Sequence, residues 1–161
     1  MTEQEDSGLW RYALRAWRRP GIERACLALQ DDFSVPVASL LFAGWASWRG
    51  YAPDAQLARL AMTQIEEWER LRLAPLRTVR RQASRMPAWS EWKRLLQDAE
   101  LEGERLLLGT LEQLLAEAPR PGGEASALST WLLLMVPQSA GCEGIGAALQ
   151  VLEAGFELPP S

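Results

Sequence analysis

Three groups of charged residues have types and spacings that could do chemistry. Adjacent acids occur twice, Asp31-Asp32 in LQDDF and Glu66-Glu67 in QIEEWER. Such pairs suggest magnesium and diphosphate binding, which needs several carboxylates on one face. Neighbouring helical positions point about 100° apart, and no acid lies three or four residues beyond Asp31 or Asp32. Both pairs therefore read as solvated helix positions. The second group is Asp98, Glu100, Glu102, Glu104 and Arg105. Glu100 and Glu104 are one helical turn apart, as are Asp98 and Glu102, and Glu102 with Arg105 forms an i,i+3 pair suited to a weak surface bridge. A solvent-facing polar stripe is the expected form of this run.

The third group is the strongest signal. Residues 74–89 read APLRTVRRQASRMPAW, with four arginines. From Arg70 to Arg94 there are eight basic residues and one acid, whereas 95–161 holds ten acids and two arginines. Arg77, Arg81 and Arg85 step by four and form one helical stripe, with Arg80 beside it. Trp89 and Trp92 follow, and arginine next to tryptophan suits stacking on bases or on the aromatics of a partner. Three destinations stay open for this charge: the chain's own acidic C-terminal half, an external anion or nucleic acid, and a protein partner. The candidate partner-binding residues are Arg77, Arg80, Arg81, Arg85, Trp89, Glu100 and Glu104. A variant with alanine at the four arginines is expected to stay folded, because surface changes usually cost little.

Much other chemistry is removed by composition. The chain has no histidine, so no imidazole is available as general base, triad member or metal ligand. Cys26 and Cys142 are far apart without a CxxC spacing, which suits free buried thiols in a reducing cytosol and makes no zinc site. Neither GxxxxGK[ST] nor GxGxxG occurs. No catalytic residue, cofactor or metal is assigned. A formal net charge of −4 argues against a general polyanion binder but not against a local basic patch.

The elements that must position these groups are helices. Apolar residues recur at three and four, with no sustained alternation and no Asn-Gly or Asp-Gly turn. Leu9, Tyr12, Ala13, Ala16 and Trp17 mark a first helix stopped by Pro20-Gly21, and Ile22, Ala25, Cys26 and Leu29 a second. A third, about 35–49, is apolar all round and should be central and buried. Leu57, Leu60, Ala61, Ile65, Trp68 and Leu71 mark a fourth, which Pro75 should kink or break before it continues to Met86. A long scaffold helix near 88–118 follows, with the stripe Trp92, Leu96, Ala99, Gly103, Leu106, Thr110 and Leu114. Its small members, Ala99, Gly103 and Thr110, would admit a close neighbour. Two weaker helices, about 124–136 and 143–156, complete the chain. The expectation is an all-α, single-domain bundle of about six to seven helices over 1–161. Residues 1–7 and 157–161 are expected to be flexible and 119–123 (PRPGG) to form a loop. Trp17, Trp45, Trp68 and Trp92 are expected in the core, while Trp10, Trp48 and Trp89 are candidates for exposure. The acidic start lacks an apolar signal core, 33–48 is too short to span a bilayer, and 125–142 is broken by Pro137 and Gly141. A cytoplasmic protein without a membrane partner is expected.

The stretch LWRYALRAWRRPGIERACLALQDDFSVPVASLLFAGWASWRG, then W-E-R, PLRTVRR and AELEGERL, resembles a conserved-hypothetical family of short proteobacterial proteins, domain of unknown function 2390, over about residues 9–115. The matching positions include Trp10, Pro20, Gly21, Cys26, Gln30, Asp31, Trp45, Pro75, Arg77, Arg80, Arg81, Glu100 and Glu104. The family tends toward a glycine and an asparagine within DFSVPVASLL, where this chain has Ser34 and Ala38. The resemblance brings no activity and no catalytic residues. The leading expectation is a noncatalytic protein-interaction or adaptor module working through the arginine-rich surface. A nucleic-acid or ribosome-associated protein is the alternative, and a helical enzyme acting on a phosphorylated or isoprenoid-like substrate comes third. Homo-oligomerisation stays open.

Overall fold

The computed structural model describes residues 7–119, 127–136 and 142–157, without the side chains of 142–144 and 157. Its elements are α1 (Gly8–Trp17), α2 (Ile22–Phe33), α3 (Val37–Trp48), α4 (Ala55–Trp68), α5 (Ala74–Ala83), α6 (Ser90–Ala116), α7 (Ala127–Met135) and α8 (Cys142–Glu157). A π-helical turn, Glu69–Leu73, joins α4 to α5 without a break, and a 3-10 turn, Pro87–Trp89, leads into α6. The eight segments thus make seven rods in an all-α bundle, and the described residues include no strand. The expected flexible ends and loop lie almost wholly outside the described residues, apart from Ser7, Pro119 and Glu157.

Local chemistry sets the boundaries. Ser7 Oγ accepts from the Trp10 N–H at 3.1 Å, and Asp54 Oδ1 accepts from Gln56 and Leu57 at 2.8 and 3.1 Å. Each side-chain cap satisfies N–H groups that the first turn cannot, worth about 1 kcal/mol. Helix α2 ends at Ser34, whose φ of 56° is left-handed. Its N–H reaches Gln30 O at 3.1 Å, and that of Val35 reaches Leu29 O at 3.2 Å. A glycine or asparagine fits this conformation best, so the serine found there sits under local strain. The expected kink at Pro75 takes the form of the π turn. Widening the helix just ahead of Pro75 relieves the clash of its ring with the carbonyl four residues back.

Helix α3 is central, as its all-round apolar pattern implies: Ser39 to Ala46 are buried without interruption. It touches α1, α2, α4, α6, α7 and α8. Trp131 of α7 packs edge-on against Phe42, with centroids 5.9 Å apart, and its indole N–H donates to Tyr51 O at 2.9 Å. Gly44 is required here, since a Cβ would stand 2.5 Å from the Tyr12 hydroxyl and 2.9 Å from the Phe156 ring. Cys26 is free and buried, and burial pushes its thiol up to about 12.

The long helix departs from expectation in phase. Its buried residues are Glu100, Leu107, Leu108, Leu111 and Leu115; Trp92, Ala99 and Leu106 are exposed. Leucines at 106, 107 and 108 occupy adjoining faces, so spacing alone leaves the rotation open. Trp92, in the first turn of α6, is 45 % exposed rather than in the core. Gly103 does admit a close neighbour: a Cβ there would meet Leu73 Cδ2 at 2.8 Å.

Candidate functional site: a cleft closed by an arginine–glutamate cluster

Between the α1–α3 layer and the α4–α6 layer lies a cleft of about 660 Å³. Trp10, Trp17, Val37, Leu41, Ile65 and Leu107 contribute to its apolar lining. Glu69, Arg77, Arg80, Glu100 and Glu104 form its polar part. The volume falls in the range of small-ligand and short-segment sites.

Each charged side chain is placed by its helix. Arg77 and Arg80 are three apart on α5 and share a face. Glu100 and Glu104 are four apart on α6, which runs beside α5. Arg80 Nε donates to Glu100 Oε1 at 2.5 Å, and Arg77 Nε lies 3.7 Å from Glu100 Oε2. Arg77 also bonds Glu69 of the π turn and stands 3.8 Å from Glu104. Glu100 is only 8 % exposed, and two guanidinium groups meet the charge it brings into the interior. The expected solvent-facing stripe is thus overturned at Glu100. The reason is that cations on a neighbouring helix make carboxylate burial tolerable. Glu104 has the weakest partner of the three acids. Desolvation raises its carboxyl above the usual range; Arg77 opposes this, while Glu100 and Glu69 add to it. Three carboxylates face two guanidinium groups, so the fully ionised cluster has an excess negative charge.

The arginine stripe is split by this arrangement. Arg77 and Arg80 turn into the cluster, whereas Arg81 and Arg85 are exposed and make no ion pair among the described residues. Ala83 is buried and Leu76 and Val79 are half-buried, as the expected assignment of faces requires. Trp89 is exposed and packs edge-on against Trp92 at 5.7 Å. It lies about 16 Å from Glu100 along α6, at 1.5 Å per residue, so it does not belong to the cleft. The surface bridge Glu102–Arg105 forms at 2.5 Å, and Arg94 pairs with Glu91 and Asp98 at 2.6 and 2.8 Å. Among the described residues no three acidic or cysteine side chains converge closely enough to hold a metal ion. No described helix is long and apolar enough to cross a membrane.

Glu69 was not among the sequence candidates, nor were the apolar cleft residues. Glu69 had a signal of a kind, being eight residues before Arg77 on what proves to be the same rod. The cleft had none, because its walls come from α1, α2, α3, the α4–α5 rod and α6. Comparison with curated proteins and with solved structures gave no match. The family model described as "Protein of unknown function (DUF2390)" matches residues 8–111, from the start of α1 to the last buried turns of α6 and including every charged residue of the cluster. With well over half of its length so matched, the chain belongs to the DUF2390 family.

Proposed function

We propose that the chain is a noncatalytic interaction module whose cleft receives an amphipathic segment of a partner protein carrying a lysine or arginine. The observation that carries this reading is the composition of the cleft: apolar walls ending on a cluster with one more carboxylate than guanidinium. An incoming cation beside Glu104 would complete the pairing. The same excess disfavours a phosphorylated or isoprenoid diphosphate substrate, because the arginines that would hold it are already engaged. A macromolecular occupant fits better than a small amine. Leu14, Leu27 and Leu101 line the cleft yet remain 43, 39 and 51 % exposed, so the apolar surface continues beyond it.

Peptide display against the immobilised protein tests this. Selected sequences should pair large apolar residues with lysine or arginine and bind the wild type. Leu101→Asp, an exposed change, should lose them, and Glu104→Lys should turn the preference toward acidic peptides. Thermal melts confirm that both variants fold. Enrichment of acidic peptides on the wild type, or undiminished capture by Leu101→Asp, would overturn the reading.

A further inference from the structure

Helix α1 has a second exposed face that the cleft does not use. Arg11, Arg15 and Arg18 follow one another at steps of four and three along it, and Arg49 lies just past the end of α3. The four arginines line a groove of about 520 Å³ together with Trp45 and Trp48. Among the described residues none of them makes an ion pair. From Gly8 to Ile22 the chain has four arginines and no acid. Glu112 of α6, which faces the start of α1, accepts from the Leu9 N–H at 3.1 Å.

The aromatic part of the groove is ordered. Trp45 is buried and Trp48 is 41 % exposed, their rings 5.2 Å apart and inclined by 30°. The Arg49 guanidinium lies over Trp45 at 5.5 Å. A structural role accounts for only part of this. Arg15 is in the last turn of α1, where a cation favours the helix dipole, but Arg11 stands in the first turn, at the end where a cation is disfavoured.

We propose that this groove binds single-stranded nucleic acid, with the four arginines on phosphates and an unpaired base against Trp48. Cations along a groove combined with an accessible indole are the two components of sequence-tolerant single-strand binding. A duplex would satisfy the arginines but leave Trp48 without a base to stack on. The surface is separate from the arginines at 77–85, and the proposal does not depend on what enters the cleft.

Fluorescence anisotropy with a labelled oligothymidylate of about 12 nucleotides, a length within the usual site sizes, provides the test. Four phosphate contacts predict a slope of about −3 in log affinity against log salt, and each single arginine-to-alanine change should reduce it by about 0.7. Trp48→Ala should weaken binding at least about fivefold, the lower limit for losing one stacked base. Arg81→Ala/Arg85→Ala should bind like the wild type. All these changes are at exposed positions, and circular dichroism confirms their fold. Four results overturn the proposal: no binding at low salt, no loss on replacing the four arginines, equal competition by base-free polyphosphate, or binding to anionic vesicles but not to the oligonucleotide.

Discussion

Arg77 and Arg80 are neutralised by three glutamates in the cleft, whereas Arg11, Arg15, Arg18 and Arg49 surround a groove with no described carboxylate paired to them. The first set lies in the chain's densest basic run, and the second is spread over two helices. Density along the sequence therefore does not measure available charge. What decides is whether a neighbouring helix brings an acid to the same face. Helix α6 does so for α5 with Glu100 and Glu104; α3 offers α1 tryptophans and another arginine instead.

The largest expected effect separates the two sets by stability. Arg80→Ala leaves buried Glu100 with only the longer contact to Arg77, and should cost about 2–3 kcal/mol in urea unfolding, somewhat less than a fully buried broken pair. Arg15→Ala should stay within about 0.5 kcal/mol, the usual range for a surface change. Similar losses in both would dissolve the comparison. The alanine variant at all four of Arg77, Arg80, Arg81 and Arg85 should be destabilised too, contrary to the expectation for a surface stripe.

The next effect lies on the cleft wall. Ser34→Gly should stabilise the protein by about 0.5–1 kcal/mol, because glycine adopts the left-handed conformation at little cost. A loss would mean that the hydroxyl contributes more than the backbone strain removes.

A smaller effect reads the excess carboxylate. Folding raises the Glu104 carboxyl from its ordinary value of 4.5. Its contribution is therefore most favourable below that value and is lost as pH rises through the higher folded value. Glu104→Gln should be more stable than the wild type near neutral pH, with the gain vanishing at acidic pH. A gain that instead grew on acidification would mean the sign is wrong and the cluster already balanced.

The smallest effect calibrates ordinary surface pairing. Arg94→Ala, which removes the exposed bridges to Glu91 and Asp98, should shift urea unfolding only slightly and not at all at high salt.

The fold was legible because period-three-and-four spacing carries both helix and face. The uninterrupted apolar run around Phe42 marked the central helix, and Pro20-Gly21 marked a real boundary. The rotation of α6 was not legible, since Leu106, Leu107 and Leu108 satisfy several faces equally. The cluster was legible in part: two cations three apart and two acids four apart are complementary, but only the pairing of α5 with α6 reveals that they meet. The Arg11–Arg15–Arg18 spacing was present in the sequence as well. It became distinctive only once α3 had set Trp48 and Arg49 beside it.

The π turn before Pro75 holds one residue more than an α-helical turn of the same rod. A homologue shortened by one residue within 69–73 could close that turn to the ordinary pitch and leave α4 and α5 facing as before, at the cost of pressing Pro75 on the preceding carbonyl. The same deletion elsewhere in the rod would have no slack to absorb it. It would rotate everything downstream by about 100°, bringing Thr78 and Arg81 to the places of Arg77 and Arg80. Single-residue deletions should therefore be tolerated at this turn and selected against on either side of it.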